Sequence, residues 1–215
     1  MRINFLGDSI TEGAAASSAE KKYVSLVGDI LGCEVCNFGV GGTRIAKQKT
    51  PSECERYDED FLTRAKKMGD ADMVFIFGGT NDYGHGDAEM GNIDDNTSYT
   101  FRGALNNLIE YLTEKYGKEK LCFILPIPRY NQSSVYGEGR KTEALYPLSD
   151  YINAEREIFE TRGIKYLDMS AMFPEPKTNA PGELLADGLH PTDKGHRMIA
   201  EYLSEYIRSH KNSNV

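Results

Sequence analysis

Apolar residues gather in five short runs, "RINFL", "EVCNF", "DMVFIF", "LCFIL" and "IKYLD", each giving way to a segment rich in Gly, Pro or Asp. Between most of these runs the apolar spacing changes to that of a helix. Tyr23, Leu26, Val27, Ile30 and Leu31 fall on one stripe, Phe101, Leu105, Leu108, Ile109 and Leu112 on a second, and Met198, Ile199, Tyr202, Leu203 and Tyr206 on a third. Strands therefore alternate with amphipathic helices.

Five short buried strands joined by helical crossovers predict a mostly parallel sheet covered on both faces, since parallel neighbours need long right-handed connections. The expected fold is a three-layer α/β/α sandwich in a single domain over residues 1–215, with a tail from about residue 210 that frays. In such sheets ligands bind in loops beyond the carboxyl ends of the strands. The chemistry is expected there.

Composition narrows the partners. The 215 residues carry a formal charge of −8, which repels phosphate backbones and anionic headgroups, so neither nucleic acid nor a membrane surface is expected as a partner. The short basic clusters Arg64-Ala65-Lys66-Lys67 and Glu20-Lys21-Lys22 read as solvated faces without function. No window is apolar enough for a membrane span, and Met1 runs straight into a strand, so a cytoplasmic protein is expected. Cys33, Cys36, Cys54 and Cys122 are then thiols; Cys33 and Cys36 have clip-like spacing but lie in a strand, where residues three apart face opposite ways.

The segments after the strands carry the candidate chemistry. After the first comes Gly7-Asp8-Ser9-Ile10-Thr11-Glu12-Gly13, in which Ser9 reads either as a nucleophile raised on a sharp turn or as a helix cap. After the second comes Asn37-Phe38-Gly39-Val40-Gly41-Gly42-Thr43, a turn whose N–H groups can face an anion. After the third, Gly78-Gly79-Thr80-Asn81-Asp82 offers an amide at the same end of the sheet, or an Asx turn. Before the last helix, Asp187-Gly188-Leu189-His190 sets a carboxylate three residues from an imidazole, a spacing that can orient the ring. His196 and His210 lack such a setting and read as helix-surface and tail residues.

Together these segments resemble the four blocks of the SGNH hydrolases, also called GDSL-type esterases and lipases: "GDSITEG", "NFGVGG", "GTND" and "DGLHP". Ile10 stands where the family name has Leu. The resemblance implies a flavodoxin-like sheet of strand order 2-1-3-4-5 and a cofactor-independent hydrolysis of a small-molecule ester. Ser9 would attack, His190 would take its proton, and Asp187 would hold the imidazole. The backbone N–H groups of Ser9 and Gly42 and the Asn81 amide would form the oxyanion hole. Gly42 is preferred over Gly41 because the family's glycine follows an Asn by five residues, here Asn37.

The rival chemistry is a metal site built from Asp82, His85 and Asp87 with Asp8 and His190, in a loop whose two glycines are expected to leave it floppy. A lysophospholipase, a thioesterase and a non-catalytic binding module are further alternatives. The long segments "YGHGDAEMGNIDDNTSYT" and "IPRYNQSSVYGEGRKTEALYP" are expected to wall the pocket. They mix Tyr with polar residues and contain no apolar lid, which favours a short acyl group on a polar carrier such as an acetylated sugar. Tyr83, Tyr130 and Tyr136 are the candidate carrier contacts.

Overall fold

The computed structural model describes residues 1–212 apart from Glu53, Arg140, Thr142 and Ala144. Strands β1 (Arg2–Gly7), β2 (Glu34–Gly39), β3 (Met73–Phe77), β4 (Leu121–Ile124) and β5 (Tyr166–Leu167) form one sheet in the order β2-β1-β3-β4-β5, with every neighbouring pair parallel. The helices are α1 (Ser9–Glu12), α2 (Tyr23–Leu31), α3 (Phe61–Ala65), α4 (Thr80–His85), α5 (Phe101–Tyr116), α6 (Leu148–Arg162) and α7 (Asp193–Asn212).

Strand alternation divides the core in two. Leu6, Val74, Ile76 and Phe123 pack with Phe61 of α3, Leu105 of α5 and Phe159 of α6 on one face. Ile3, Phe5, Phe75 and Ile124 pack with Val27 of α2 and Leu203 of α7 on the other. The result is the expected three-layer α/β/α sandwich.

Three expectations are corrected. No residue of β2 is buried, because β2 is an edge strand and its Glu34 and Asn37 are exposed. His196 is not on the surface but wholly buried: its Nε2 meets the Ala14 carbonyl at 3.2 Å, and its Nδ1 takes the Tyr23 N–H at 3.4 Å. Arg64 is likewise buried, whereas Lys66 and Lys67 are exposed. α7 runs to Asn212, past the start of the expected frayed tail, and the remainder of that tail, 213–215, lies outside the described residues.

Candidate active site

The carboxyl ends of β1 and β2 meet where Gly7 pairs with Gly39, and both glycines are forced by close approach. A methyl at Gly7 would lie 1.9 Å from Thr11 Oγ1, and one at Gly39 would lie 2.1 Å from the Glu12 nitrogen. The chain can therefore leave β1 and enter the short helix α1 directly against the end of β2. Asp8, not Ser9, caps that helix, its carboxylate accepting the Ile10 N–H at 3.0 Å. Ser9 is left as the first helical residue, whose N–H has no intrahelical acceptor. Burial pushes the Asp8 carboxyl up to about 6, against the opposing pull of the Ile10 N–H, His190, Arg64 and Arg129.

The Ser9 hydroxyl lies 2.9 Å from His190 Nε2, and His190 Nδ1 lies 2.7 Å from Asp187 Oδ2. Asp187 holds the whole turn. Its Oδ1 accepts the N–H groups of Leu189 at 3.0 Å and His190 at 2.8 Å, a fold of the chain that Gly188 permits with φ of 77°. Partial burial works to raise the Asp187 carboxyl, but the His190 and Leu189 N–H groups and the His190 ring hold it below its usual value. With the Nδ1 proton donated to Asp187, the Nε2 lone pair faces the serine hydroxyl. That arrangement can accept a proton from Ser9.

The second block crosses directly over the serine: a methyl at Gly41 would lie 3.4 Å from Ser9 Cβ. The Gly41 N–H is used by Glu12 Oε2 at 2.8 Å, whereas the Gly42 N–H meets no acceptor among the described residues. Asn37 fixes this loop to α1, donating to the Thr11 carbonyl at 2.7 Å and accepting the Gly39 N–H at 2.8 Å. Asn81, expected to supply an amide at this end of the sheet, with an Asx turn as the alternative, lies in the first turn of α4 and donates one amide hydrogen to the Thr43 carbonyl at 3.0 Å. Its second amide hydrogen is uncommitted by that bond.

Sequence reasoning missed the residues beneath. Arg64 donates to the carbonyls of Gly7 at 2.8 Å and Phe38 at 2.7 Å and to Thr43 Oγ1 at 2.8 Å, clamping the ends of two strands to the glycine loop. Burial draws its guanidinium down to about 10. Its spacing from Phe61 and Ala65 on α3, and from Met68 just beyond it, follows an apolar helical stripe, a legible signal. Glu155, fully buried on α6, approaches Gly79 so closely that a methyl there would lie 2.6 Å from Oε1, and its Oε2 has no partner. Burial, then the charges of Asp82 and Asp8, lift it well above the usual carboxylate range.

The alternative metal set is not brought together. Asp82 accepts the Ile45 and Ala46 N–H groups at 2.9 Å, His85 meets Arg44 at 3.0 Å, and Asp87 accepts the Lys49 and Thr50 N–H groups at 2.8 Å. Among the described residues no three His, Cys, Asp or Glu side chains are grouped to hold a metal ion. The segment expected to be floppy begins as α4, with Asp82, Tyr83 and Gly84 buried. Tyr83 is therefore removed from the carrier contacts: its hydroxyl donates to the Asn131 carbonyl and its ring lies under Arg129. Tyr130 and Tyr136 remain exposed.

A profile of the GDSL-like Lipase/Acylhydrolase family matches residues 5–198, and the chain belongs to that family of carboxylic ester hydrolases. It is 26% identical over 229 residues to an acetylxylan esterase of Xylanibacter ruminicola, in a match that covers 97% of this chain and 43% of that protein. The chain spans less than half the length of the curated relatives it matches. A solved protein from Lactobacillus plantarum shares the fold with a TM-score of 0.80 at 28% identity, over 97% of each chain. The lipase/acylhydrolase of Enterococcus faecalis gives 0.60 at 20% identity, over 97% of this chain and 96% of its own. No helix among the described residues is long and apolar enough to cross a membrane.

Proposed function

We propose that this chain, acting as one hydrolase domain, cleaves carboxylic esters through an acyl-enzyme on Ser9. The observation that carries the reading is the unbroken Ser9–His190–Asp187 hydrogen-bond chain, at 2.9 and 2.7 Å. Ser9 Oγ attacks the ester carbonyl as its proton passes to His190 Nε2. Asp187 stays ionised and stabilises the imidazolium that forms. The oxyanion takes hydrogen bonds from the Ser9 and Gly42 N–H groups and from the second amide hydrogen of Asn81. Collapse breaks the bond to the alcohol oxygen, which leaves with the proton from His190. Water then repeats the sequence on the acyl-serine, releasing the acid and restoring the hydroxyl.

The substrate reading is a short acyl ester, acetyl above all, on a polar carrier such as a carbohydrate. The polar, tyrosine-bearing loop 127–147 and the acetylxylan esterase activity named for the Xylanibacter ruminicola relative both support it. The test is fluorophosphonate labelling followed by identification of the modified residue, beside an ester panel varying acyl length and alcohol. Label on Ser9 that is lost in Ser9→Ala is the expected result. Undiminished turnover by folded Ser9→Ala would exclude the mechanism.

A further inference from the structure

Tyr57 is an exposed tyrosine in no recognisable motif, yet its ring is packed on the glycine beside the nucleophile. A methyl at Gly42 would lie 2.6–3.0 Å from Cδ1, Cε1 and Cγ of that ring. Gly42 has φ of 76° and adjoins Gly41, where an added methyl would lie 3.4 Å from Ser9 Cβ. Ring, glycine pair and serine thus follow one another without room for a side chain on Gly42, while 41% of the Tyr57 surface stays open to solvent.

The segment carrying the ring is held by buried machinery. Arg44, 4% exposed, donates to the Tyr57 carbonyl at 3.1 Å and to Asp58 Oδ1 at 2.8 Å. Asp58 in turn accepts the Ser52 N–H at 2.8 Å. A large apolar face fixed in place and left half in water is a pre-ordered binding surface, since its ordering entropy has been lost before any ligand arrives.

An ion pair ties the residue before Tyr57 to the glycine loop. Glu12 receives the Gly41 N–H on Oε2 and pairs through Oε1 with Arg56, and both side chains are largely exposed, at 40% and 53%. A flat aromatic face beside a guanidinium and a carboxylate matches a pyranose, which presents an apolar C–H face edged by hydroxyls. A saturated acyl chain would leave the ion pair without a use and requires an aliphatic wall that these residues do not provide.

We propose that Tyr57, Arg56 and Glu12 form a carbohydrate subsite at the β2 side of Ser9, the ring stacking on the sugar that carries the scissile acyl group. The inference rests on the serine-esterase reading above and names the carrier contacts for that same site. The experiment compares kcat/KM for per-O-acetylated methyl xyloside with that for 4-nitrophenyl acetate, in wild type and in Tyr57→Ala, Tyr57→Leu and Tyr57→Phe. Loss of a stacking contact should lower the sugar-to-nitrophenyl ratio about tenfold in the Ala and Leu variants, through KM for the sugar ester, with Phe within about twofold of wild type. Leu keeps the bulk that shields Gly42, so it guards against a folding effect of Ala. A ratio unchanged in both, or a rise in octanoyl ester cleavage in their place, overturns the subsite. Wild-type protein that neither labels with a fluorophosphonate nor cleaves either ester overturns the esterase reading instead.

Discussion

The Asn81 side-chain amide donates to the Thr43 carbonyl across 3.0 Å, fastening a residue that follows β3 to the residue after Gly42, which follows β2. These are next-but-one strands, with Ser9 at the end of the strand between them. Arg64 seals the same junction from below through Gly7, Phe38 and Thr43. Three segments that share no local sequence are thereby locked together, and the donor array proposed for the oxyanion needs that pre-organisation.

If Asn81 acts through that array, Asn81→Ala should lower kcat by on the order of 10²–10³ with a smaller change in KM. Steady-state kinetics on one acetyl ester decide it. A defect confined to KM would make Asn81 a substrate-binding residue.

On the proposed mechanism Ser9 and His190, 2.9 Å apart, form one proton-transferring unit, so Ser9→Ala and His190→Ala should each remove several orders of magnitude of turnover. Ser17→Ala is the informative control: Ser17 Oγ donates to Asp193 Oδ2 at 2.6 Å on the surface, so its loss should cost stability by about 1 kcal/mol at most and leave turnover intact. Equal losses in all three variants would point to misfolding in place of chemistry.

Close approach at the strand ends predicts a graded glycine series. Gly39→Ala places a methyl 2.1 Å from backbone that cannot yield without moving α1, and should destabilise by about 1–3 kcal/mol with a loss of turnover. Gly69→Ala meets only Arg2 Nη2 at 3.7 Å and should be near neutral in both respects. Denaturant midpoints for the two variants check the contrast.

Glu155 carries the pH prediction. Its folded value is raised well above 4.5, so between these values the folded chain binds more protons than the unfolded chain, and stability falls as pH rises. Asp8 and Asp82, both pushed up to about 6, act in the same sense from about 4 to 6. Glu155→Gln keeps the shape and never ionises. Its melting temperature should exceed that of wild type at pH 8 and approach it near pH 4; a gap of the same size at both pH values would refute the assignment.

Much of this was legible because the features are local. The apolar runs marked a parallel sheet covered on both faces, the segments that follow them marked the residues near Ser9, and the strand order came from the resemblance those segments carry. What escaped depended on burial that no short window reveals. Arg64 lies at an apolar position of its helix but reads as part of a basic cluster, and Glu155 shares the buried face of α6 with Tyr151, Ile158 and Phe159, where a carboxylate gives no local sign of its burial. His196 shares a stripe with Ile199, Leu203 and Ile207, one position off the stripe expected for α7, so it turns inward, where burial draws its imidazole below its usual value. Tyr57 had no periodic or motif signal, because its place over Gly42 is created by Arg44 across a turn.

The last prediction concerns acyl length. Each added methylene gains about 0.8 kcal/mol only where apolar surface receives it. Among the described residues the exposed large apolar side chains are Met1, Tyr57, Tyr99, Tyr130, Val135 and Tyr136, so Val135 is the exposed large aliphatic side chain described in loop 127–147. Tyr130 is tied by its N–H to the Gly188 carbonyl at 2.7 Å, next to the Asp187–His190 turn, which makes that side of the serine rigid as well as aromatic. A long chain would then lie in water or against tyrosine rims, and kcat/KM for acetyl esters should exceed that for octanoyl esters of the same alcohol. The measurement is a series from acetyl to octanoyl on one leaving group. A steady rise along it would reverse the preference and make a lipid-like ester the substrate class.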